Sequence, residues 1–195
     1  MPNSTVCLSF DFDALSVWLA YDRVTPAMLH RGEYGARVGV RPLGFRSPSA
    51  DLSASTLELI EELGFLYDSS LMTDDYRPFR PRIGDRVSRE SPLERGREAH
   101  FWELPMCFEL DDWVHFQFNF EPYRKGGAPP SAVLEIWQEE FDWMDEHVDG
   151  GVLTVCMHPQ VIGRGHRIAM LERFVEHCLA GGAGFAALRD VAKSL

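Results

Sequence analysis

The stretch that most constrains the fold is Val152-Leu153-Thr154-Val155-Cys156-Met157. It reads as a fully apolar strand, closed by His158-Pro159. It lies between two segments of helical period, residues 131–148 and 167–180. In the first, Ser131 is the expected cap, and Val133, Ile136, Trp137, Phe141 and Met144 recur at core spacing. The second is amphipathic and stops at Gly181-Gly182. Residues 5–10 read as another short buried strand. Residues 53–63 read as a helix, with Ser53 as N-cap, Leu57, Ile60 and Leu63 on one face, and Gly64 as the stop. Shorter strands are expected at 43–46, 65–68, 102–105 and 185–188, with a closing helix at 190–195. Residues 74–100, rich in Arg, Pro and Gly, read as irregular, and 111–120 as aromatics alternating with polar residues. Strands alternating with helices predict a parallel α/β architecture in one domain over residues 1–195.

Composition narrows the function. The net charge of −11 offers no basic footprint for nucleic acid or an anionic membrane surface. No apolar run is long enough to span a bilayer. The N-terminal residues lack a basic n-region, so a cytoplasmic location is expected. Cys7, Cys107, Cys156 and Cys178 are scattered without a C-x-x-C pair, the pattern of reduced core thiols.

In a parallel α/β sheet, chemistry collects at the carboxyl ends of the strands. Asp11/Asp13, Arg46, Asp68 and His158 all fall at such ends. Asp11 and Asp13, two apart on an extended chain, point the same way. Like charges that close require a metal, a cation or a shared proton beside them. A carboxylate can take a proton from water, an arginine can orient that carboxylate, and a histidine can protonate a leaving group. The aromatics Trp102, Phe108, Trp113, Phe116, Phe118 and Phe120 fit either a pocket for a planar ring or a core or subunit interface.

These residues resemble the polysaccharide deacetylases of the NodB-homology family, in the branch with allantoinase-like and cyclic-imide-hydrolysing members. Ser9-Phe10-Asp11-Phe12-Asp13 resembles the first motif, Gly44-Phe45-Arg46-Ser47-Pro48 the third, and Met157-His158-Pro159-Gln160 the last. Leu104-Pro105 and Asp111-Asp112-Trp113 are similar to the pocket-shaping region, and Glu33-Tyr34 to a pocket segment of the allantoinase-like branch. The resemblance implies a distorted (β/α) barrel in which Asp11 is the general base, Arg46 its orienter and His158 the general acid. It implies a divalent metal, zinc first, on Asp13. It places Glu33, Tyr34, Asp112, Trp113 and Arg164 in substrate binding. The implied reaction is hydrolysis of a non-peptide carbon–nitrogen bond in a small amide, imide or N-acetyl substrate.

The resemblance stops at the second motif, a His-x-x-x-His pair that completes the metal site. Val40 runs directly into Arg41-Pro42-Leu43-Gly44, and no two of the seven histidines stand four apart. Asp111 and His115 do stand four apart, but such a pair arises easily by chance. The barrel is therefore expected to be incomplete, with βα units missing between Val40 and Arg41 and open strand edges that favour a homo-oligomer. Two readings stay open: a metal-dependent hydrolase, or a non-catalytic or truncated member that binds a ligand or a partner.

Overall fold

The computed structural model describes residues 3–11, 41–117 and 126–195. Strand β1 (Thr5–Phe10) pairs in parallel with β7 (Val152–Met157) along its whole length, from Thr5↔Val152 to Phe10↔Met157. On its other side β8 (Gly184–Phe185) pairs with Thr5 and Val6. A second parallel sheet has the order β2 (Gly44–Phe45), β3 (Tyr67–Asp68), β6 (Trp102–Glu103). An antiparallel pair, β4 (Arg82–Ile83) and β5 (Arg97–Glu98), completes the strands. The parallel α/β class is as expected, and the described strands form open sheets, not a closed barrel.

The burial pattern follows from the strand sequences. Every residue of β7 is buried, because helices cover one face of its sheet and α6 (Leu188–Ser194) the other. Helices α3 (Pro130–His147) and α5 (Gly165–Ala180) pack against each other there. Val133, Trp137, Phe141 and Met144 from α3 meet Met170, Phe174 and Cys178 from α5 and Val6, Leu153 and Val155 from the sheet. The Trp137 and Phe174 rings lie 5.6 Å apart, edge to face, and the Trp137 indole N–H donates to the Glu109 carbonyl at 3.0 Å. Cys7 and Val152 face the opposite way, onto Leu104, Val191 and Ala192. A third cluster, Ile60, Ile83, Ala99 and Phe101, joins α1 (Thr56–Glu62) to the second sheet and the β4–β5 pair.

Several elements depart from the sequence reading. Helix α1 starts at Thr56, because Ser53 turns back and its N–H donates to Thr56 Oγ1 (2.9 Å). Helix α3 starts with Pro130 in its first turn, where its missing N–H costs nothing, so Ser131 is inside the helix. Residues predicted as alternating from 111 fold as helix α2 (Asp112–Phe116), capped by Asp111, which accepts from the Trp113 N–H at 2.7 Å. The β4–β5 pair lies in a segment read as irregular. Its exposed positions carry no apolar alternation, and Asp85 holds the turn instead, accepting from Arg82 (2.7 Å) and the Gly96 N–H (2.7 Å). A short α4 (Pro159–Ile162) follows His158.

Open strand edges were expected from the missing segment; among the described residues β1 is flanked on both sides over Thr5–Val6 by β7 and β8. In the second sheet β2 is an outer strand among the described residues. All four cysteines are free and buried, and burial pushes the Cys7, Cys107 and Cys178 thiols up to about 12. Among the described residues no helix is long and apolar enough to cross a membrane.

Gly44 places β2 against β3. A methyl group added there would be built into the Tyr67 ring, which packs with Cys7 and Leu104 beneath β1. Gly44→Ala is therefore expected to lower stability by about 1–3 kcal/mol through overpacking. Urea unfolding would register this as a lower midpoint with an unchanged slope.

Candidate active site

The functional side chains sit where the strands end. The Asp11 N–H donates to the Met157 carbonyl at 2.8 Å, so Asp11 continues the β1–β7 register one residue beyond the strand. Arg46 directly follows β2, Ser69 follows β3, and His158 follows β7. Asp111 bridges alongside Cys156, which brings the start of α2 to the end of β7.

Arg46 ties the two sheets together. Its Nη1 donates to Asp11 Oδ1 (2.6 Å) and Ser9 Oγ (2.7 Å). Its Nε donates to the Ser69 carbonyl and its Nη2 to Ser69 Oγ, both at 2.8 Å. Burial opposes the charge on this guanidinium, but the Asp11 carboxylate, by its charge and its hydrogen bond, raises the pKa above the usual arginine value. The other Asp11 oxygen, Oδ2, accepts from the Cys156 thiol at 3.2 Å. Burial pushes that thiol far up, so Cys156 remains a donor.

A second dyad lies beside the first. His158 Nδ1–H donates to Asp112 Oδ1 at 2.7 Å, and the His158 backbone N–H donates to both Asp112 oxygens at 3.2 and 3.1 Å. Asp112 is wholly buried, and Asp111 Oδ1 stands 3.9 Å from the same ring nitrogen. Burial raises the Asp111 pKa, opposed by His158. The Trp113 ring packs 5.2 Å from the imidazole. Behind Asp112, Arg167 lies over the Phe116 ring at 4.3 Å and donates to the Val161 carbonyl at 2.8 Å. A carboxylate holding Nδ1–H leaves proton exchange to Nε2.

Of the residues predicted for catalysis, the structure brings Asp11 and Arg46 into contact and sets His158 next to them. A carboxylate oxygen of Asp11, the sulfur of Cys156 and a ring nitrogen of His158 all lie within 4.8 Å of one another. Asp112, expected to bind substrate, has no exposed surface and is committed to His158. Trp113 is half-buried against His158, and Arg164 is exposed at the start of α5. Asp13, Glu33, Tyr34, Phe118 and Phe120 lie outside the described residues. His115 bonds the Glu109 carbonyl at 2.8 Å, and the donor group containing Asp111 has His158 as its histidine. Sequence reasoning missed Ser9, Ser69 and Cys156 as site residues. Cys156 was detectable in principle, since it stands two before His158 on an extended strand and so faces the same way.

Two donor groups among the described residues could hold a cation: Asp11, Cys156 and His158, or Asp111, Asp112 and His158. Both need His158, so only one can form at a time. The first also carries the Arg46 charge and a thiol kept protonated by burial, a weak ligand. Each offers three donors, the number a catalytic zinc site takes from the protein, but in both groups a carboxylate is already committed, Asp11 to Arg46 and Asp112 to His158.

Comparison with known proteins bears on relatives and on the fold. No family model matches the chain. It is 33% identical over 150 residues to the peptidoglycan deacetylase of Helicobacter pylori, covering 71% of this chain and 51% of that protein. It is 28% identical over 151 residues to a peptidoglycan deacetylase-like protein of Gibberella zeae, covering 69% and 45%. The chain thus spans about half the length of the curated relatives it matches. Among solved structures, a Mycobacterium smegmatis protein classed with the polysaccharide deacetylases superposes with TM-score 0.74 at 22% identity, covering 99% of this chain and 90% of that one. Puue allantoinase superposes with TM-score 0.60 at 22% identity, covering 86% and 49%. The fold is that of the NodB-like hydrolases, a distorted and incomplete barrel. In sequence the chain is similar to peptidoglycan deacetylases, and in fold to polysaccharide deacetylases.

Arg46 is nearly enclosed, and of its four hydrogen bonds two cross to the end of β1 and two hold Ser69 within its own sheet. Arg46→Met leaves the Asp11 carboxylate and Ser69 without these partners. It should cost about 3–5 kcal/mol, the usual range for breaking a buried ion pair. Arg46→Lys should recover only part, because an ammonium cannot reproduce the fork. Chemical denaturation of the three proteins side by side tests the order.

Proposed function

We propose that this chain hydrolyses a non-peptide carbon–nitrogen bond, with an N-acyl amide as the substrate class. The observation that carries the reading is the approach of two supported dyads, Arg46–Asp11 and Asp112–His158, to within 4.8 Å at the ends of adjacent strands. Asp11 takes a proton from water as the oxygen attacks the acyl carbon. Arg46 fixes the carboxylate that receives the proton. His158 then delivers a proton from Nε2 to the departing nitrogen as the carbon–nitrogen bond breaks. Asp112 holds the imidazole in the tautomer and orientation this needs. The products are a carboxylic acid and an amine, so the atoms of one water are consumed. A divalent cation, zinc first, bound through Asp13 with donors of this site, would polarise the acyl oxygen.

The relatives support the choice of substrate: deacetylases of peptidoglycan in sequence, and an allantoinase in fold. N-acetylated sugars and small cyclic amides or imides are therefore the compounds to assay, with zinc, cobalt or manganese supplied. Asp11→Asn and His158→Ala should each reduce turnover by about 10²–10⁴-fold. No turnover by the unaltered protein on any of these compounds would sink the reading.

A second reading, a ligand- or partner-binding domain without catalysis, is favoured by one feature: no His-x-x-x-His pair exists anywhere in the chain. Metal content separates the two. About one ion per chain, lost in Asp13→Ala, is expected for the hydrolase. No bound metal in either protein is expected for the binding domain. Two expectations attach to either reading. Association through the outer strand β2 gives a homo-oligomer, which light scattering would detect. A cytoplasmic location suits four free, buried thiols.

A further inference from the structure

Asp68 and Glu103 stand directly opposite each other on β3 and β6. Register partners on parallel neighbours project to the same side of a sheet, so the two carboxyl groups share one pocket. Both residues have 0% exposed surface. Asp68 Oδ1 accepts from Ser70 Oγ at 2.8 Å. Glu103 Oε1 accepts from the backbone N–H groups of Ser70 (2.7 Å) and Leu71 (2.8 Å). The remaining oxygens, Asp68 Oδ2 and Glu103 Oε2, are buried and receive no N–H or O–H from any other residue. Each carboxyl group therefore keeps one oxygen without a donor in the same enclosed space.

Two ionised carboxylates in that arrangement would repel without compensation. The charged group facing the pair is Arg46, acting on Asp68. Its described hydrogen bonds run to Asp11, Ser9 and Ser69, and none runs to the pair. A single proton between Oδ2 and Oε2 satisfies both orphan atoms at once and removes the repulsion. We propose that Asp68 and Glu103 hold one shared proton, and that the pair is a positioning device for the active site. It clamps residues 69–71 from below, and Ser69 in turn holds the Arg46 guanidinium that orients Asp11. Neither residue touches the reacting atoms.

The pH dependence has a definite sign. Burial first, and the Asp68 charge second, raise Glu103 from 4.5 to about 9. A carboxyl group whose pKa rises on folding favours the native state most when protonated. Its stabilisation is therefore complete below about pH 4.5, declines through neutral pH, and is lost once pH passes about 9.

Glu103→Gln tests this without removing the contacts. The amide oxygen can still accept from Ser70 and Leu71, and the amide N–H₂ supplies permanently the donor that the proton supplies in the native pair. Melting of the two proteins between pH 5 and 9 should give curves that diverge, with the Gln variant gaining on the wild type as pH rises. Glu103→Ala should melt lower at every pH. An infrared carboxylic-acid band should be present in the wild type at pH 7 and absent from Glu103→Gln. If Glu103→Gln fails to fold, Asp68→Asn offers the donor from the opposite side and should likewise flatten the pH dependence. Parallel pH curves for the wild type and the Gln variant, or no acid band in the wild type, would overturn the proposal. The melting and infrared readouts need no substrate, so they stand even if the hydrolytic reading fails. Only a third expectation rests on that reading: turnover should lose an alkaline decline of about tenfold per pH unit when Glu103 is Gln.

Discussion

The buried Arg46 guanidinium is the interaction on which the rest of the site depends. A cation out of water is costly, and only a full set of acceptors makes it tolerable. Here the acceptors come from two separate sheets: Ser9 and Asp11 from the end of β1, and Ser69 from the end of β3. The charge therefore sets the relative position of the sheets. It also fixes the carboxylate at the point where chemistry is expected. Its planar fork matters, because one side chain must donate to acceptors in several directions at once.

A second layer supports this first one. Ser69 can hold Arg46 only if the loop after β3 is fixed, and that loop is bonded to Asp68 and Glu103 through Ser70 and Leu71. On the other side, Asp112 holds His158 by both its ring and its backbone N–H, and Arg167 lies behind it against Phe116. Both catalytic candidates thus follow one plan: a group that can exchange protons, oriented by a buried partner of opposite character. The proton-exchanging groups lie at strand ends, and the orienting groups are fixed by packing.

Much of this frame was legible in the sequence. The apolar runs of β1 and β7 and the helical period of α3 and α5 named the main sheet and its cover, because long-range burial there agrees with local pattern. Asp11, Arg46 and His158 were legible because each follows a readable strand. Asp112 was legible as a site residue but not in its role, since burial is a property of the fold around it. The β4–β5 pair was hidden because it is held by Asp85 and not by apolar alternation. Glu103 was hidden for a different reason. A strand of two residues carries no periodicity, and its partner lies 35 residues away in the register with β3.

The missing βα units bear on the metal more than on the frame. The gap was expected to leave open strand edges; among the described residues β2 is an outer strand of its sheet, while β7 and β8 flank β1 over Thr5–Val6. The superposition over nearly all of the Mycobacterium smegmatis chain shows the same fold in a protein of similar extent. The proposed base, the proposed acid and their supports lie at the ends of β1, β2, β3 and β7 and at the start of α2, all among the described residues. What departs with the second motif is a pair of imidazole ligands, and the described donors near Asp11 are a poor substitute. One is already bonded to an arginine and another is a thiol that burial keeps protonated. The physical question for this chain is therefore narrow. The proposed proton-transfer groups, Asp11 and His158, each have a buried orienting partner, and hydrolysis would further need the developing charge on the acyl oxygen to be met.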